Sequence, residues 1–147
     1  TSDVSELAEG RFREIIDDPT AQPQKVNRLV FCTGKIYFDL LEARDAAQKD
    51  DVALIRIEQL YPFAFKEAEK LLARYSRAKE ICWAQEEPQN QGAWDFIEPR
   101  LRQVIQDGRA MPFIGRGPSA STATGVHKAH LAEQDKLVSQ ALNGNGR

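Results

Sequence analysis

The chain has 147 residues, of which 41% are hydrophobic and 29% are charged, and its formal net charge is −2. This length suits one domain with a sizeable core, and the composition is that of an ordinary globular protein. The small negative charge gives no general electrostatic reason to bind nucleic acid or an anionic membrane, and no apolar run is long enough to span a bilayer. No secretory signal is visible, and because the first residue is Thr we expect a fragment of a longer protein.

Short apolar runs alternate along the chain with apolar stripes of helical spacing. The runs predict strands buried on both faces, and the stripes predict helices with one apolar side. Residues 5–16 have a weak helical spacing, and residues 18–25 are predicted to be a polar linker. The predicted strands are 29–32, 52–57, 81–85 and 111–114, and the predicted helices are 36–44, 65–75, 96–105 and 128–142. Pro99 is expected in the first turn of its helix, where a missing N–H is tolerated.

This alternation predicts a three-layer α/β fold with a mostly parallel sheet and helices on both faces. The carboxyl ends of parallel strands share one edge of a sheet. The loops at 33–35, 58–63, 86–94 and 115–121 are therefore expected to meet there. Open α/β sheets bind ligands at that edge, so it is the predicted location of a site.

Two residue pairs bear on redox and metal chemistry. Cys32 and Cys82 lie inside predicted strands, so we expect buried, reduced thiols. His127 and His130 have a spacing that could place both on one helix face. Two histidines alone make a weak metal site, so none is predicted from them.

The segment from Gln85 to Trp94 turns from apolar to polar within a few residues, as a strand that opens into a functional loop would. Glu86 and Glu87 suggest an acid–base pair. Adjacent strand residues point to opposite sides, however, so capping of loops or contact with a partner surface is favoured. The sequence contains no GxGxxG, no GxxxxGK[ST] and no GxSxG. The missing phosphate-binding motifs count against a nucleotide-binding module, and a stand-alone hydrolase that uses Glu86 and Glu87 is a poor alternative because their side chains are expected to diverge.

Several cations lie near predicted loop ends: Lys35, Arg116, Arg11, Arg13 and Lys66. Cations beside a helix N-terminus can hold a phosphate, which keeps a free-standing nucleotide-binding module as an alternative. Solvated surface charge is the simpler interpretation for each residue alone.

Four ordered segments carry a specific resemblance. They are FCTGKIYFDL at 31–40, RIEQLYPF at 56–63, QEEPQNQG at 85–92 and GRGPSAS at 115–121. Together they resemble the C-terminal domain of 2-oxoglutarate dehydrogenase, the thiamine-diphosphate-dependent first component, and residues 6–12 resemble the arm leading into it. The related 2-oxoadipate dehydrogenase shares part of this pattern. The resemblance implies an interdomain arm or linker at 1–25 and a transketolase C-terminal-like domain at 26–147.

The resemblance also implies a function for the longer protein. Members of this family are homodimers that decarboxylate 2-oxoglutarate on thiamine diphosphate with Mg²⁺. They pass the succinyl group to the lipoyl arm of dihydrolipoyl succinyltransferase, as part of the tricarboxylic acid cycle. This sequence lacks the thiamine-binding GDG motif, so the domain alone is expected to bind no cofactor, to contain no catalytic residue and to be inactive. Its location would be the cytoplasm of a bacterium or the mitochondrial matrix of a eukaryote.

A regulatory site is implied by some actinobacterial relatives, which bind acetyl-CoA on this domain. The resemblance places the corresponding residues at Arg11, Phe12, Arg13, Glu14, Gln59, Lys66 and Glu67. Lys66 and Glu67 stand where those relatives have two arginines. A carboxylate repels a CoA phosphate, and lysine lacks the bidentate phosphate contact of arginine. Weak or absent acetyl-CoA binding is therefore expected.

A second group is expected on the sheet-edge loops, available for contact with the dimer partner or with neighbouring domains: Thr33, Lys35, Glu86, Glu87, Asn90, Gln91, Trp94 and Arg116. Phe96 is a further candidate for such a contact. For the tryptophans, core packing is the alternative.

Overall fold

A computed structural model describes residues 11–120 and 127–144, with the backbone alone for 127–131. Within these ranges the strands are β1 (Ile15–Ile16), β2 (Arg28–Cys32), β3 (Val52–Ile57), β4 (Glu80–Pro88) and β5 (Phe113–Arg116). The helices are α1 (Ile36–Ala46), α2 (Phe65–Arg74), α3 (Trp94–Val104) and α4 (His127–Asn143). None of the helices in the described ranges is both long and apolar enough to cross a membrane.

The sheet has the strand order β1-β3-β2-β4-β5. Strands β2 to β5 are parallel, which confirms the predicted topology, and β1 lies antiparallel to β3 at the edge, with Ile15 opposite Ile57. The helical prediction for 5–16 is wrong at Ile15 and Ile16, and its first part lies outside the described residues. A two-residue strand is too short to show a period of its own, so the pairing with β3 decides its conformation.

Two apolar layers cover the sheet, because successive strand side chains alternate between its faces. One face packs under α2 and α3 and contains Leu29, Phe31, Ile55, Trp83, Leu72 and Ile97. The other packs under α1 and α4 and contains Val30, Cys32, Leu54, Cys82, Leu40 and Ala141. This arrangement confirms the three-layer architecture.

Strands β4 and β5 and the position of Pro99 differ from the sequence prediction. Strand β4 continues to Pro88, past a register shift between Ala84 and Pro88, so both glutamates belong to the strand. Strand β5 begins at Phe113 rather than at residue 111, although Met111 is buried. Pro99 is the sixth residue of α3, beyond the first turn, so the helix lacks one backbone donor there.

The end of α4 is fixed by a buried arginine. Arg28 Nε donates to the Ala141 carbonyl at 2.7 Å, and the Arg28 guanidinium also pairs with Glu80. The helix ends with Gly144 at φ +76°, whose N–H donates to the Gln140 carbonyl at 2.9 Å. A cation at a helix C-terminus complements the helix dipole, so this contact secures α4 against the sheet.

Candidate functional site

The predicted edge loops do meet at the carboxyl ends of the strands. Thr33 Oγ1 donates to the Ile57 carbonyl at 2.7 Å, which joins the loop after β2 to the end of β3. Arg116 Nε donates to the Glu86 carbonyl at 3.1 Å, which joins the end of β5 to that of β4. Lys35 Nζ lies 3.4 Å from Glu86 Oε1 and connects these two pairs, so the described loops form one continuous surface.

Gln85 organises the loop that follows β4. Its side chain is almost fully buried, and its Oε1 accepts a hydrogen bond from Trp83 Nε1 at 2.8 Å. Its Nε2 donates to the Gln91 carbonyl at 2.7 Å, and the carbonyls of Pro88 and Glu87 lie at 3.2 and 3.3 Å. One buried carboxamide thus sets the path of residues 86–91. The sequence indicates the loop, but no local pattern shows that Gln85 holds it.

Gly92 closes this loop in the left-handed conformation, at φ +68°. A Cβ at this position would lie 3.0 Å from Gln85 Nε2 and 3.1 Å from Glu87 Cβ. Both the backbone angle and the limited space therefore favour glycine.

Asn90 and Gln91 tie the same loop to the one after β5. Asn90 Nδ2 donates to the Ser119 carbonyl at 3.0 Å, and Asn90 Oδ1 accepts from the Ser119 N–H at 2.9 Å. Gln91 Nε2 also donates to the Ser119 carbonyl, at 3.0 Å. These amides act within the chain and fix the two loops relative to each other.

The two adjacent glutamates diverge, as strand alternation predicts. Glu86 Oε1 accepts from Gln134 Nε2 at 3.0 Å and lies 3.4 Å from Lys35 Nζ. The side chain of Glu87 lies beside Gly92 instead. The carboxylates therefore do not share one substrate position, which counts against an acid–base pair.

Lys35 belongs to a charged cluster on the Glu86 side. Its Nζ lies 2.8 Å from Asp39 Oδ2, and the hydrogen bond to Asp39 raises the pKa of Lys35 despite some desolvation. Gln134 Nε2 also donates to Asp39, at 2.9 Å. Arg116 lies 3.9 Å from Glu133. Both cations at this edge, Lys35 and Arg116, therefore lie near carboxylates, and these negative charges would repel a phosphate. This weakens the interpretation of the edge as a phosphate site.

The candidate effector residues are only partly brought together. The Glu14 carbonyl accepts the N–H groups of Glu58 and Gln59 at 2.9 and 3.1 Å, so the arm and the 58–63 loop are in contact. Gln59 Nε2 donates to the Pro62 carbonyl at 2.9 Å. Arg11, Phe12 and Arg13 are exposed on the arm. Lys66 and Glu67 are exposed in the first turn of α2, where Glu67 accepts from Lys70 at 2.8 Å.

The aromatic candidates pack within the chain. Trp94 is half-buried against the core, with its ring centroid 5.3 Å from that of Phe113. The Arg100 guanidinium lies 3.4 Å from the centroid of Phe96, whose ring also faces Tyr61 at 6.5 Å. Core packing, the alternative for the tryptophans, therefore describes Trp94 well.

Sequence analysis missed a pair of aspartates that we call the aspartate clasp, Asp17 and Asp18. Asp18 is buried within the predicted linker, pairs with Arg44 and accepts the Leu54 N–H at 3.0 Å. Burial raises the pKa of Asp18, but hydrogen bonds from Leu54 and Thr20 and the charge of Arg44 outweigh it, so the pKa is lowered overall.

Asp17 makes the second half of the clasp. Its Oδ1 accepts from the Tyr75 hydroxyl at 2.7 Å, and its Oδ2 lies 2.6 Å from Arg74 Nη1. Burial, followed by the hydrogen bond to Asp17, raises the pKa of Tyr75. The acidic dipeptide before Pro19 is a signal in the sequence, but its partners lie too far along the chain to be identified from it.

Both cysteines are free and buried, which confirms that part of the prediction. Burial raises the pKa of Cys32 to about 12 and that of Cys82 to about 11, so neither is an activated nucleophile. The side chains of His127 and His130 lie outside the described residues. Among the side chains that are described, no three of His, Cys, Asp or Glu form a group able to hold a metal ion.

The fold places the chain in a structural class. Its backbone resembles a solved structure titled "Split gene transketolase, inactive beta4 tetramer", with a TM-score of 0.53 and 12% sequence identity. The match covers 78% of this chain and 38% of that one. At this identity the likeness shows the fold alone, which is a transketolase C-terminal-like α/β fold.

Sequence comparison then defines the family. The family described as 2-oxoglutarate dehydrogenase C-terminal matches residues 1–142. The 2-oxoglutarate dehydrogenase E1 component of Cupriavidus necator is 41% identical over 142 residues, covering 96% of this chain and 15% of that protein. The mitochondrial 2-oxoglutarate dehydrogenase of Caenorhabditis briggsae is 44% identical, covering 96% of this chain and 14% of that protein. The chain belongs to the 2-oxoglutarate dehydrogenase C-terminal family.

A third relative bears on substrate class. The probable 2-oxoadipate dehydrogenase complex component E1 homolog of Dictyostelium discoideum is 38% identical, covering 97% of this chain and 16% of that protein. The chain thus spans about a sixth to a seventh of the length of these relatives.

Proposed function

We propose that this chain is the C-terminal domain of the E1 component of a 2-oxoglutarate dehydrogenase and that it serves assembly rather than chemistry. The family match across residues 1–142 carries this proposal, together with the small share of each relative that the chain covers. In the longer polypeptide, thiamine diphosphate and Mg²⁺ would be bound by other domains, because the GDG motif is absent from this sequence. The partners would be a second copy of that polypeptide and the dihydrolipoyl succinyltransferase component.

The test is a substrate comparison on the natural polypeptide that contains this chain. With thiamine diphosphate and Mg²⁺, 2-oxoglutarate should reduce an artificial electron acceptor much faster than 2-oxoadipate does. The 147-residue chain alone should show no turnover under the same conditions. Preference for 2-oxoadipate would favour the alternative family member, and turnover by the isolated chain would refute the assembly role.

The assembly role is assigned to the surface formed by residues 86–92, with Trp94 behind it. The hydrogen bonds of Gln85, and those of Asn90 and Gln91 to Ser119, fix the path of this loop. A loop that is already held in one conformation loses little conformational entropy when a partner covers it. Glu87 is exposed on this surface. A Glu87→Lys variant of the natural polypeptide should weaken its dimer in light-scattering measurements. Glu69→Lys, the same change at an exposed position on α2, is the control; equal behaviour of the two variants would exclude the 86–92 surface.

For the effector site we propose weak or absent acetyl-CoA binding. The exposed Lys66 and Glu67 supply one cation and one carboxylate where two arginines would bind phosphate. Calorimetric titration of the natural polypeptide should give little heat. A Lys66→Arg, Glu67→Arg double variant should bind measurably tighter if the site is otherwise intact. Tight binding by the unaltered protein would overturn the proposal.

A further inference from the structure

The aspartate clasp joins the two faces of the sheet. Asp18 pairs with Arg44 of α1, while Asp17 contacts Arg74 and Tyr75 at the end of α2. Helices α1 and α2 pack on opposite faces of the sheet. Two consecutive carboxylates therefore anchor one short segment to both helical layers.

The segment that the clasp anchors has little else of its own to hold it. Strand β1 is two residues long, and both Ile15 and Ile16 are only half-buried. At one end, the Glu14 carbonyl accepts two N–H groups from the 58–63 loop. At the other end, the Asp18 carboxylate accepts the Leu54 N–H from the uncovered part of β3. Residues 14–20 thus lie along β3 with an anchor at each end.

From this geometry we infer that residues 14–20 form a latch that opens as a unit while the parallel strands stay folded, and that the aspartate clasp determines how often it opens. Proteins open in cooperative local units, and edge segments with few buried apolar contacts open most readily. Strands β2 and β4 should open far less readily than the latch, because their central residues are fully buried.

Opening of the latch would release the N–H groups of Glu58 and Gln59 from Glu14. The latch therefore couples the clasp to the 58–63 loop, although the clasp does not touch that loop. A ligand or partner that binds the exposed residues 11–13 or the loop would shift the open population by its preference for one state. The latch depends on contacts within the chain and not on the reaction of the longer protein.

Hydrogen exchange on the natural polypeptide, read at single amides by fragmentation mass spectrometry, tests the latch. Asp18→Asn removes the charge that holds Arg44 but leaves Glu14 and its two bonds untouched. Exchange at the amides of Glu58 and Gln59 should then accelerate about ten-fold or more, which corresponds to a weakening of the latch by about 1.4 kcal/mol. In the unaltered protein these two amides should already exchange faster than that of Val30 in β2, whose full burial requires global unfolding for exchange.

Two variants complete the experiment. Asp50→Asn removes an exposed ion pair with Lys25 and is the matched control, for which no change at Glu58 is expected. If Asp18→Asn does not fold, Tyr75→Phe is the second variant. It removes the hydroxyl that donates to Asp17 of the clasp and should give a smaller acceleration of exchange at the same two amides. Equal protection of Glu58, Gln59 and Val30 in the unaltered protein would mean that all three amides exchange only by global unfolding, and that result would overturn the latch. An unchanged rate at Glu58 and Gln59 would overturn it as well. Neither result depends on which substrate the longer protein uses.

Discussion

Replacing Gln85 with methionine tests whether one buried carboxamide organises the loop after β4. The change keeps side-chain length but removes both ends of the hydrogen-bond network. It leaves the Trp83 indole N–H and the Gln91 carbonyl without their closest partners, previously at 2.8 and 2.7 Å. The two longer contacts, to Pro88 and Glu87, contribute less because they lie at 3.2 and 3.3 Å.

The expected loss follows from those two groups. A buried group left unsatisfied costs about 1–3 kcal/mol, so the variant should lose about 2–4 kcal/mol of unfolding free energy, with some recovery from the apolar side chain. For a domain of this size, about 2–4 °C in Tm accompanies each kcal/mol, so Tm should fall by roughly 5–15 °C.

Thermal unfolding of the 147-residue chain, followed by circular dichroism, is the assay. Gln106→Met is the matched control, because Gln106 is exposed and its Nε2 makes a single long contact of 3.4 Å. A fall in Tm for Gln85→Met no larger than that of this control would refute the reasoning. The effect should also be smaller when Trp83→Phe has already removed the indole N–H, since the two residues share one bond.

Three further predictions concern acid stability, thiol reactivity and backbone conformation. Because folding lowers the pKa of Asp18, the ionised carboxylate contributes fully to the free energy of unfolding above about pH 5. This contribution is lost as the pH falls through about 4 toward the lower pKa of the folded state. In urea unfolding between pH 7 and 3, the free energy of unfolding of Asp18→Asn should therefore fall less with acid than that of the unaltered chain. Cys32 and Cys82 should react slowly with dithionitrobenzoate at pH 8 in the folded chain and at once in guanidinium, and two rapid equivalents from folded protein would contradict their burial. Gly92→Ala should destabilise the chain more than Gly108→Ala in the same urea assay, because both glycines have a positive φ but only Gly92 lacks room for a Cβ; equal losses would show that the contact with Gln85 is unimportant.

The parallel sheet could be predicted from sequence because its strands are continuous apolar runs between helical stripes. Residues 52–57 coincide with β3, and 29–32 falls one residue short of β2. Burial on both faces produces such runs whatever the neighbouring strand is. The meeting of the edge loops then follows from topology alone, since parallel strands end on one side.

The contacts that hold the site could not be predicted in the same way. Asp18 meets Leu54 and Arg44 across 36 and 26 residues of sequence. A polar dipeptide before a proline is typical of a linker. Only in the folded sheet do the N–H of Leu54 and the guanidinium of Arg44 lie beside it. Gln85 is similar, because a glutamine after an apolar run shows no sign that it will be buried.

The mass of the native polypeptide that contains this sequence tests the central claim most directly. An immunoblot of the source with an antibody against this chain measures it. Because the chain covers 14–16% of its relatives, a band about six to seven times the 16.6 kDa of this chain is expected if the domain belongs to a dehydrogenase E1 component. A single band near 16.6 kDa, in freshly prepared extract with proteases inhibited, would contradict that account and would describe a free-standing module.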